Sequence, residues 1–288
     1  MSTRTRSTGT QYISTASAAQ FLGVGPTSVK RWADLGLLKC VRTAGNHRRF
    51  LRDEVERFAR AIQSGHVPLE GTSAAPSRPR IDGSGAQVET WARQLLELGT
   101  YSLHGALLTE REAQGSWWRV ADLIGLALTE LGRRWACGEV SVMAEHLASE
   151  RLARALARCA EALPAPIGAP RVLLAMADAD DHTLGLSLAE LVLREAGHQV
   201  LWAGRATPTA EIVGYLRTQA PAIVAISASI VCDDPERLRE ATLPIARACQ
   251  DVRCRLVLGG TGTWPDDLPG ALRVHDFAGL HGLLAGDL

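Results

Sequence analysis

Three short elements near the carboxyl end and one in the middle carry the residue types that could do chemistry. Asp180-Asp181-His182-Thr183-Leu184-Gly185 is an Asp-x-His-x-x-Gly element; Ser227-Ala228-Ser229 and Leu258-Gly259-Gly260 follow it in order. Upstream, Trp135 is followed after nine residues by the carboxylate-imidazole pair Glu145-His146. Imidazole is the side chain that ligates metals and titrates near neutrality, and glycines let a ligand come close to the backbone. A different chemistry belongs to His47-Arg48-Arg49, because closely spaced guanidinium groups suit phosphate. Each fragment alone is weak: Asp-x-His-x-x-Gly is compatible with ordinary turn chemistry, and a His on a helix is commonly a satisfied surface or core residue.

The elements that must position these residues give them more weight. Strands are expected at Arg171–Ala177, Gln199–Ala203, Ala222–Ser227, Arg255–Leu258 and Leu272–Phe277, with helices at Leu184–Ala196, Thr209–Thr218 and Pro235–Gln250. Strands alternating with helices of this length specify a parallel, doubly wound, Rossmann/flavodoxin-like sheet, which binds ligands at the carboxyl ends of its strands. Asp180–Gly185, Ser227–Ser229 and Gly259-Gly260 all fall at such ends. Before this domain, Val88, Trp91, Leu95 and Leu98 recur at helical spacing. Trp118, Ala121, Leu123, Ile124, Leu128 and Leu131 do the same, as do Met143, Leu147, Leu152 and Leu156, with a shorter segment around Ser102–Ala113. This is a four-helix bundle, with Trp135 at the end of its third helix and Glu145-His146 about two turns into its fourth.

The amino-terminal part has its own logic. Thr15 as N-cap opens a short helix that ends at Gly23, and Gly25-Pro26 starts a second one running to about Leu35, the order of a helix-turn-helix. Val29 and Trp32 turn to a core with Phe21 and Leu22, which leaves Thr27, Ser28, Lys30 and Arg31 able to enter a major groove. A hairpin over Cys40–Phe50 with Gly45-Asn46 at its tip would lay His47, Arg48 and Arg49 against phosphates or a minor groove, and a third helix opens at Asp53. The chain thus reads as a multidomain α and α/β protein: a winged helix-turn-helix at 10–63, a Pro/Gly/Ser-rich linker at 64–85, a bundle at 86–165 and the parallel-sheet domain at 168–288.

Charge agrees with that division. The whole chain holds 31 basic and 31 acidic residues. Residues 1–80 hold 13 against 5, which leaves 18 against 26 for the remainder, a basic head of net +8 joined to a body of net −8. No apolar run reaches the roughly 18 residues of a membrane span, and the Ser/Thr/Arg-rich start lacks the apolar core of a signal peptide, so a cytoplasmic protein is expected. The six cysteines show neither CxxC pairs nor zinc spacing and read as reduced, mostly buried thiols.

Helix, Gly-turn, helix ending in Trp, Leu35-Gly36-Leu37-Leu38, then Gly45-Asn46-His47-Arg48-Arg49-Phe50 resembles the winged helix-turn-helix of the MerR superfamily. The Asp-x-His-x-x-Gly, Ser-x-Ser and Gly-Gly set resembles the cobalamin-binding domain of methionine synthase and the B12-dependent mutases, with Ser229 as a departure at the last position of its element. Head, bundle and sheet domain in this order resemble the light-responsive, adenosylcobalamin-dependent repressors of the CarH/LitR type. That resemblance implies roles. His182 would be the lower cobalt ligand and Asp180 would hydrogen-bond its far ring nitrogen. Gly185 belongs to the same motif, Ser227 and Ser229 would line the slot for the nucleotide tail, and Gly259 and Gly260 would let that tail pass close to the backbone. The bundle would be a cap over the upper face, with Trp135 against the upper axial group and Glu145 and His146 flanking the adenosyl moiety. It also implies a photoreceptor that binds double-stranded operator DNA as a homo-oligomer, a tetramer built as a dimer of dimers. One departure matters: the best-studied type of the family has a His directly after the Trp that captures cobalt after photolysis, and here that place is Ala136, which leaves water, His146 or another route in the light state.

Three other readings fit the same residues. A regulator of this architecture could sense cobalamin level or redox state, or hold another tetrapyrrole such as a bilin, because Ala136 opens space at the upper face. A plain regulator could recruit a partner protein through an empty flavodoxin-like domain. A B12-dependent enzyme component is disfavoured, since neither a substrate barrel nor a zinc-thiolate site fits in these residues.

Overall fold

The computed structural model describes residues 12–22, 29–30, 32–33, 38–43, 47–63, 85–177, 180–230, 232 and 234–286. They divide into two compact units: the head together with the 132–142 stretch, and the rest of the bundle together with the parallel-sheet domain.

In the head, β1 (Tyr12–Ser14) leads into α1 (Thr15–Leu22), and β2 (Cys40–Arg42) and β3 (Arg48–Leu51) are followed by α2 (Arg52–Gln63). The hairpin is present, with Arg42 opposite Arg48 in antiparallel register and Thr43 N–H donating to the His47 carbonyl at 3.0 Å. β1 adds a third strand on the other side of β3, giving the order β1-β3-β2. The helix cap moves back by one residue: Ser14 Oγ accepts from Ser17 N–H at 3.1 Å, because Ser14 ends the extended strand and Thr15 is already helical. Val29, Lys30, Trp32 and Ala33 are helical.

Ala18, Ala19, Val29, Trp32, Leu38, Phe50, Val55 and Phe58 form the core of the head, and Trp32 meets Phe58 edge-on at 5.0 Å. Phe21, expected in that core, is exposed, with the Arg52 guanidinium 5.8 Å from its ring. At 100° per residue the buried face of α1 centres on Ala18, Ala19 and Leu22, so Phe21 falls beyond its rim. Within the same unit the Trp32 indole N–H donates to the Ala136 carbonyl at 3.0 Å.

The second unit opens with helices α3 (Gly85–Glu97), α4 (Thr100–Gln114), α5 (Trp117–Ala136, which runs on into the first unit) and α6 (Val142–Glu161). Trp91, Leu95, Leu103, Leu107, Val120, Ile124, Leu131, Leu152 and Leu156 are buried. Trp117 rather than Trp118 carries the burial at the start of α5, and Met143 and Leu147 are exposed, because Ala148, Leu152 and Leu156 define the inward face of α6. Glu145 lies in the first turn of α6, closer to its start than the two turns expected.

The sheet contains β4 (Arg171–Met176), β5 (Gln199–Trp202), β6 (Ile223–Ser227), β7 (Arg255–Gly259) and β8 (Ala271–Arg273), all parallel, in the order β5-β4-β6-β7-β8. Helices α7 (Leu184–Glu195), α8 (Thr209–Gln219) and α9 (Pro235–Asp251) make the crossovers. β6 is buried at all five positions, as a central parallel strand must be when both faces are covered. The last strand ends at Arg273, earlier than expected, and a further helix α10 (Phe277–Ala285) follows.

Bundle and sheet are tied by partly buried polar contacts. Glu195, at the end of α7, accepts from the Arg111 guanidinium at 2.8 Å and from Trp117 N–H at 2.8 Å. Asp122 of α5 accepts from the N–H groups of Phe277 (2.8 Å) and Ala278 (3.2 Å), while Asp276 accepts from Gly279 N–H, so two carboxylates cap one helix N-terminus.

Candidate functional site

In this strand order β4 and β6 are neighbours from which the chain proceeds in opposite directions, so the crevice beyond their carboxyl ends is the topological switch point, where open α/β sheets bind ligands. Ser227 ends β6, directly opposite Met176 of β4. The turn carrying Asp180 and His182 and the turn carrying Ser229 therefore meet.

Their meeting point is the Asp180 carboxylate, which is buried. Oδ1 accepts from His182 N–H at 3.0 Å, faces His182 Nδ1 at 2.9 Å and accepts from Ser229 Oγ at 3.0 Å. Oδ2 accepts from Ser229 N–H at 2.5 Å and lies 3.7 Å from the Cys232 thiol. Burial alone would raise the pKa of Asp180, but the hydrogen bonds from His182 and Ser229 outweigh it and hold the carboxyl at about 2. His182 is shifted upward, chiefly by its hydrogen bond to Asp180 against the opposing effect of burial, with the charges of Asp180, Glu145 and Asp181 adding to the rise.

The His182 side chain is 62% exposed although its anchor is fully buried. With Nδ1 committed to Asp180, and 3.1 Å from Ser229 Oγ, the ring nitrogen left to meet a ligand is Nε2. An imidazole whose second nitrogen is fixed by a carboxylate is the usual form of a metal-ligating histidine. Burial raises the Cys232 thiol to about 11, reinforced by Asp180, so it is a protonated neighbour of that carboxylate.

The two glycines of the Gly-Gly element differ in the room around them. At Gly259, the last residue of β7, an added Cβ would meet only ordinary contacts, the nearest at 3.9 Å. Gly260 has φ +81°, and an added Cβ would stand 2.1 Å from the Ala228 carbonyl oxygen and 2.9 Å from Ser227 Oγ. Gly262, outside the Gly-Gly pair, has no room either, its Cβ falling 2.6 Å from that of Ala228. The close approach these glycines permit is that of the 260–262 turn onto Ala228, whose carbonyl accepts from Gly262 N–H at 2.8 Å. Gly185 sits at the second position of α7, where an added Cβ would lie 3.9 Å from Ser227 Oγ.

Asp180, His182, Gly185, Ser227, Ser229, Gly259 and Gly260 thus converge on one crevice, and the Glu145 charge reaches it through His182. His146 is exposed, 3.6 Å from Glu145. Trp135 belongs to the first unit. Cys232, Gly262, Trp264 and Arg273 are not among the residues expected from the sequence. Cys232 and Gly262 make contacts with loops far apart in the chain, Arg273 and Trp264 brace the turn after β7, and no spacing signals them.

Of the expected DNA-facing residues, Lys30 and His47 are exposed and Arg48 and Arg49 half-buried; Thr27, Ser28, Arg31 and the Gly45-Asn46 tip lie outside the described residues. Arg48 and Arg49 are consecutive on β3, so their side chains leave opposite faces of the strand and do not present one surface with His47.

Residues 12–62 match the helix-turn-helix domain family, and residues 119–160, which cover most of α5 and α6, match the B12 binding domain family. The chain joins a DNA-binding head to a B12-binding module. No curated protein matches it. Among solved structures, a cobalamin-binding protein from Desulfitobacterium hafniense DCB-2 is similar at 16% identity, over 70% of this chain and 98% of that one, with a TM-score of 0.36. The monomethylamine corrinoid protein of Methanosarcina barkeri is similar at 13% identity, over 70% and 99%, with a TM-score of 0.49. The methanol:cobalamin methyltransferase complex MtaBC of the same organism gives 15% identity, 70% and 81% coverage and a TM-score of 0.36. Among the described residues no helix is long and apolar enough to cross a membrane.

Proposed function

We propose that the protein is a light-responsive transcriptional repressor of the MerR type that carries adenosylcobalamin, binds operator DNA as a tetramer in the dark and releases it on illumination. The observation that carries this reading is the exposed His182 held through Nδ1 by the buried Asp180 at the sheet's switch point, in a chain that also bears a helix-turn-helix. The residues fit a corrinoid, since an outward imidazole at a crevice is what a lower-ligand histidine requires.

In this reading His182 would hold the cobalt through Nε2, with Asp180 fixing the tautomer and the plane of the ring. Ser229 holds Asp180 through both its N–H and its hydroxyl, and with Ser227 it lines the slot for the nucleotide tail. Glu145, whose charge acts on His182, and its neighbour His146 would flank the ligand from α6. The exposed Met143 and Leu147, near the start of α6, would supply apolar surface for the same ligand. Adenosylcobalamin supplies a cobalt–carbon bond that visible light breaks. The chain would supply a cap with two states, and an oligomer whose heads part when the cap changes state. Several heads on one assembly hold an operator through effective concentration, so DNA is released when the oligomer comes apart.

Protein loaded with adenosylcobalamin is expected to shift an operator fragment in the dark and to release it after green light, with a matching change in its absorption spectrum. Equal DNA retention before and after illumination would sink the photoreceptor reading. The alternative, a cobalamin-level, redox or bilin sensor of the same architecture, is favoured by Ala136, which occupies the place next to Trp135 where the best-studied type of the light-responsive family has its second histidine. It predicts a spectrum and DNA affinity that change with ligand supply and not with light. Both readings describe a regulator, not an enzyme, that works without a membrane.

A further inference from the structure

Arg273, the last residue of β8, points its guanidinium at main-chain carbonyls. Nη1 donates to Leu258 (2.9 Å) and Val274 (3.0 Å), and Nη2 donates to Gly260. Burial pulls its pKa down, so this cation is held partly out of water. Placing a charge there costs free energy that three neutral acceptors return only in part, which asks what the placement secures. What it secures is the turn after β7. Leu258 lies on the strand, Gly260 on the turn, and Val274 just past the neighbouring strand, so one rigid fork ties β7, its turn and β8 together. From its own far end the same turn is held by the Trp264 indole, which donates to the Gly259 carbonyl at 2.8 Å. Between these two clamps, Gly260 and Gly262 press against Ala228, between the two serines of the β6 turn.

Resting on the corrinoid reading above, we infer that Arg273 is a positioning residue. It holds the Gly259–Gly262 turn in contact with Ser227–Ser229, the two turns that the corrinoid reading gives to the nucleotide tail, and so makes the site select a complete cobalamin over a corrinoid without the tail. The guanidinium acts through the peptide of Gly260 and not by meeting the ligand. Its planar fork is essential, because a lysine ammonium keeps the charge but cannot bridge three carbonyls in fixed geometry.

The test uses the full-length protein stripped of ligand and titrated in the dark with hydroxocobalamin and, separately, with cobinamide, the same ring without the nucleotide tail, both followed by absorbance. Arg273→Met and Arg273→Lys are expected to weaken hydroxocobalamin binding about tenfold or more while leaving cobinamide within about twofold of the wild type. Trp264→Phe, which removes the opposing clamp alone, is expected to show the same selective loss. Equal weakening for both corrinoids would mean a merely structural role and overturn the inference, as would full retention in either Arg273 variant or rescue by lysine. Should an Arg273 variant melt below the assay temperature, the Trp264→Phe comparison decides, and a folded Trp264→Phe protein without selectivity loss overturns the proposal. Wild-type protein that binds neither corrinoid would instead overturn the corrinoid reading itself.

Discussion

At the scale of single residues, the site depends on positions where nothing larger fits. Gly260→Ala introduces a Cβ 2.1 Å from a backbone oxygen at a φ of +81°. The left-handed conformation alone costs about 1 kcal/mol, and relieving the overlap must move one of two hydrogen-bonded turns. The variant is expected to lose about 2 kcal/mol or more in urea unfolding, whereas Gly259→Ala, with its nearest neighbour at an ordinary 3.9 Å, loses well under half of that. Asp180, His182, Ser227 and Ser229 are legible in the sequence because each lies at or just beyond the carboxyl end of a strand and the strands come in a recognisable order. The Gly-Gly element marks the right turn in the sequence but not its partner: Gly260 makes room for Ala228. Cys232, Gly262, Trp264 and Arg273 are invisible there, since what selects them is an arrangement that exists only after the turns have met.

At the scale of elements, the instructive case is α10. Its sequence, Phe277-Ala-Gly-Leu-His-Gly-Leu-Leu-Ala285, is apolar on nearly every side and contains two glycines, so it shows no helical stripe, and the run before it reads as a longer strand. Two caps make it a helix: Asp276, local and in principle readable, and Asp122, which arrives from α5. Burial, with the Asp276 charge adding, raises the Asp122 carboxyl from 3.8 to about 6, even though the N–H groups of Phe277 and Ala278 pull the other way. The folded protein thus binds this proton more tightly than the unfolded chain. Its contribution to stability is fully present below about pH 4 and is lost as pH rises to about 6. The shift corresponds to about 3 kcal/mol at most. Denaturant unfolding of wild type and Asp122→Asn between pH 4 and 7 checks this. The difference in stability between the two proteins should change across that window and be flat above it, and a constant difference would contradict the assignment.

At the scale of the whole molecule, a neutral chain is a basic head of net +8 and a body of net −8, so DNA binding should depend steeply on salt although the total charge is zero. Neutralising Lys30, Arg48 and Arg49 together is expected to lower the slope of log affinity against log salt by about one for each phosphate the head no longer neutralises. A gel-shift series in rising salt measures it. Because Arg48 and Arg49 leave opposite faces of β3, the triple variant should flatten the slope by less than its three removed charges would if all of them met phosphate. The order of elements is readable from alternating periodicities, and both edge strands of the sheet are among those expected; the extent of the last one is not, since strand length depends on what the neighbour can pair. Those ends have a consequence for self-association. The sheet finishes in β5, four residues, on one side and β8, three residues, on the other. Neither offers an open ladder long enough to recruit a strand from a second copy, so this sheet is guarded against growing into a continuous intermolecular one. Association that leaves these edges unpaired can be made and broken without unzipping a backbone.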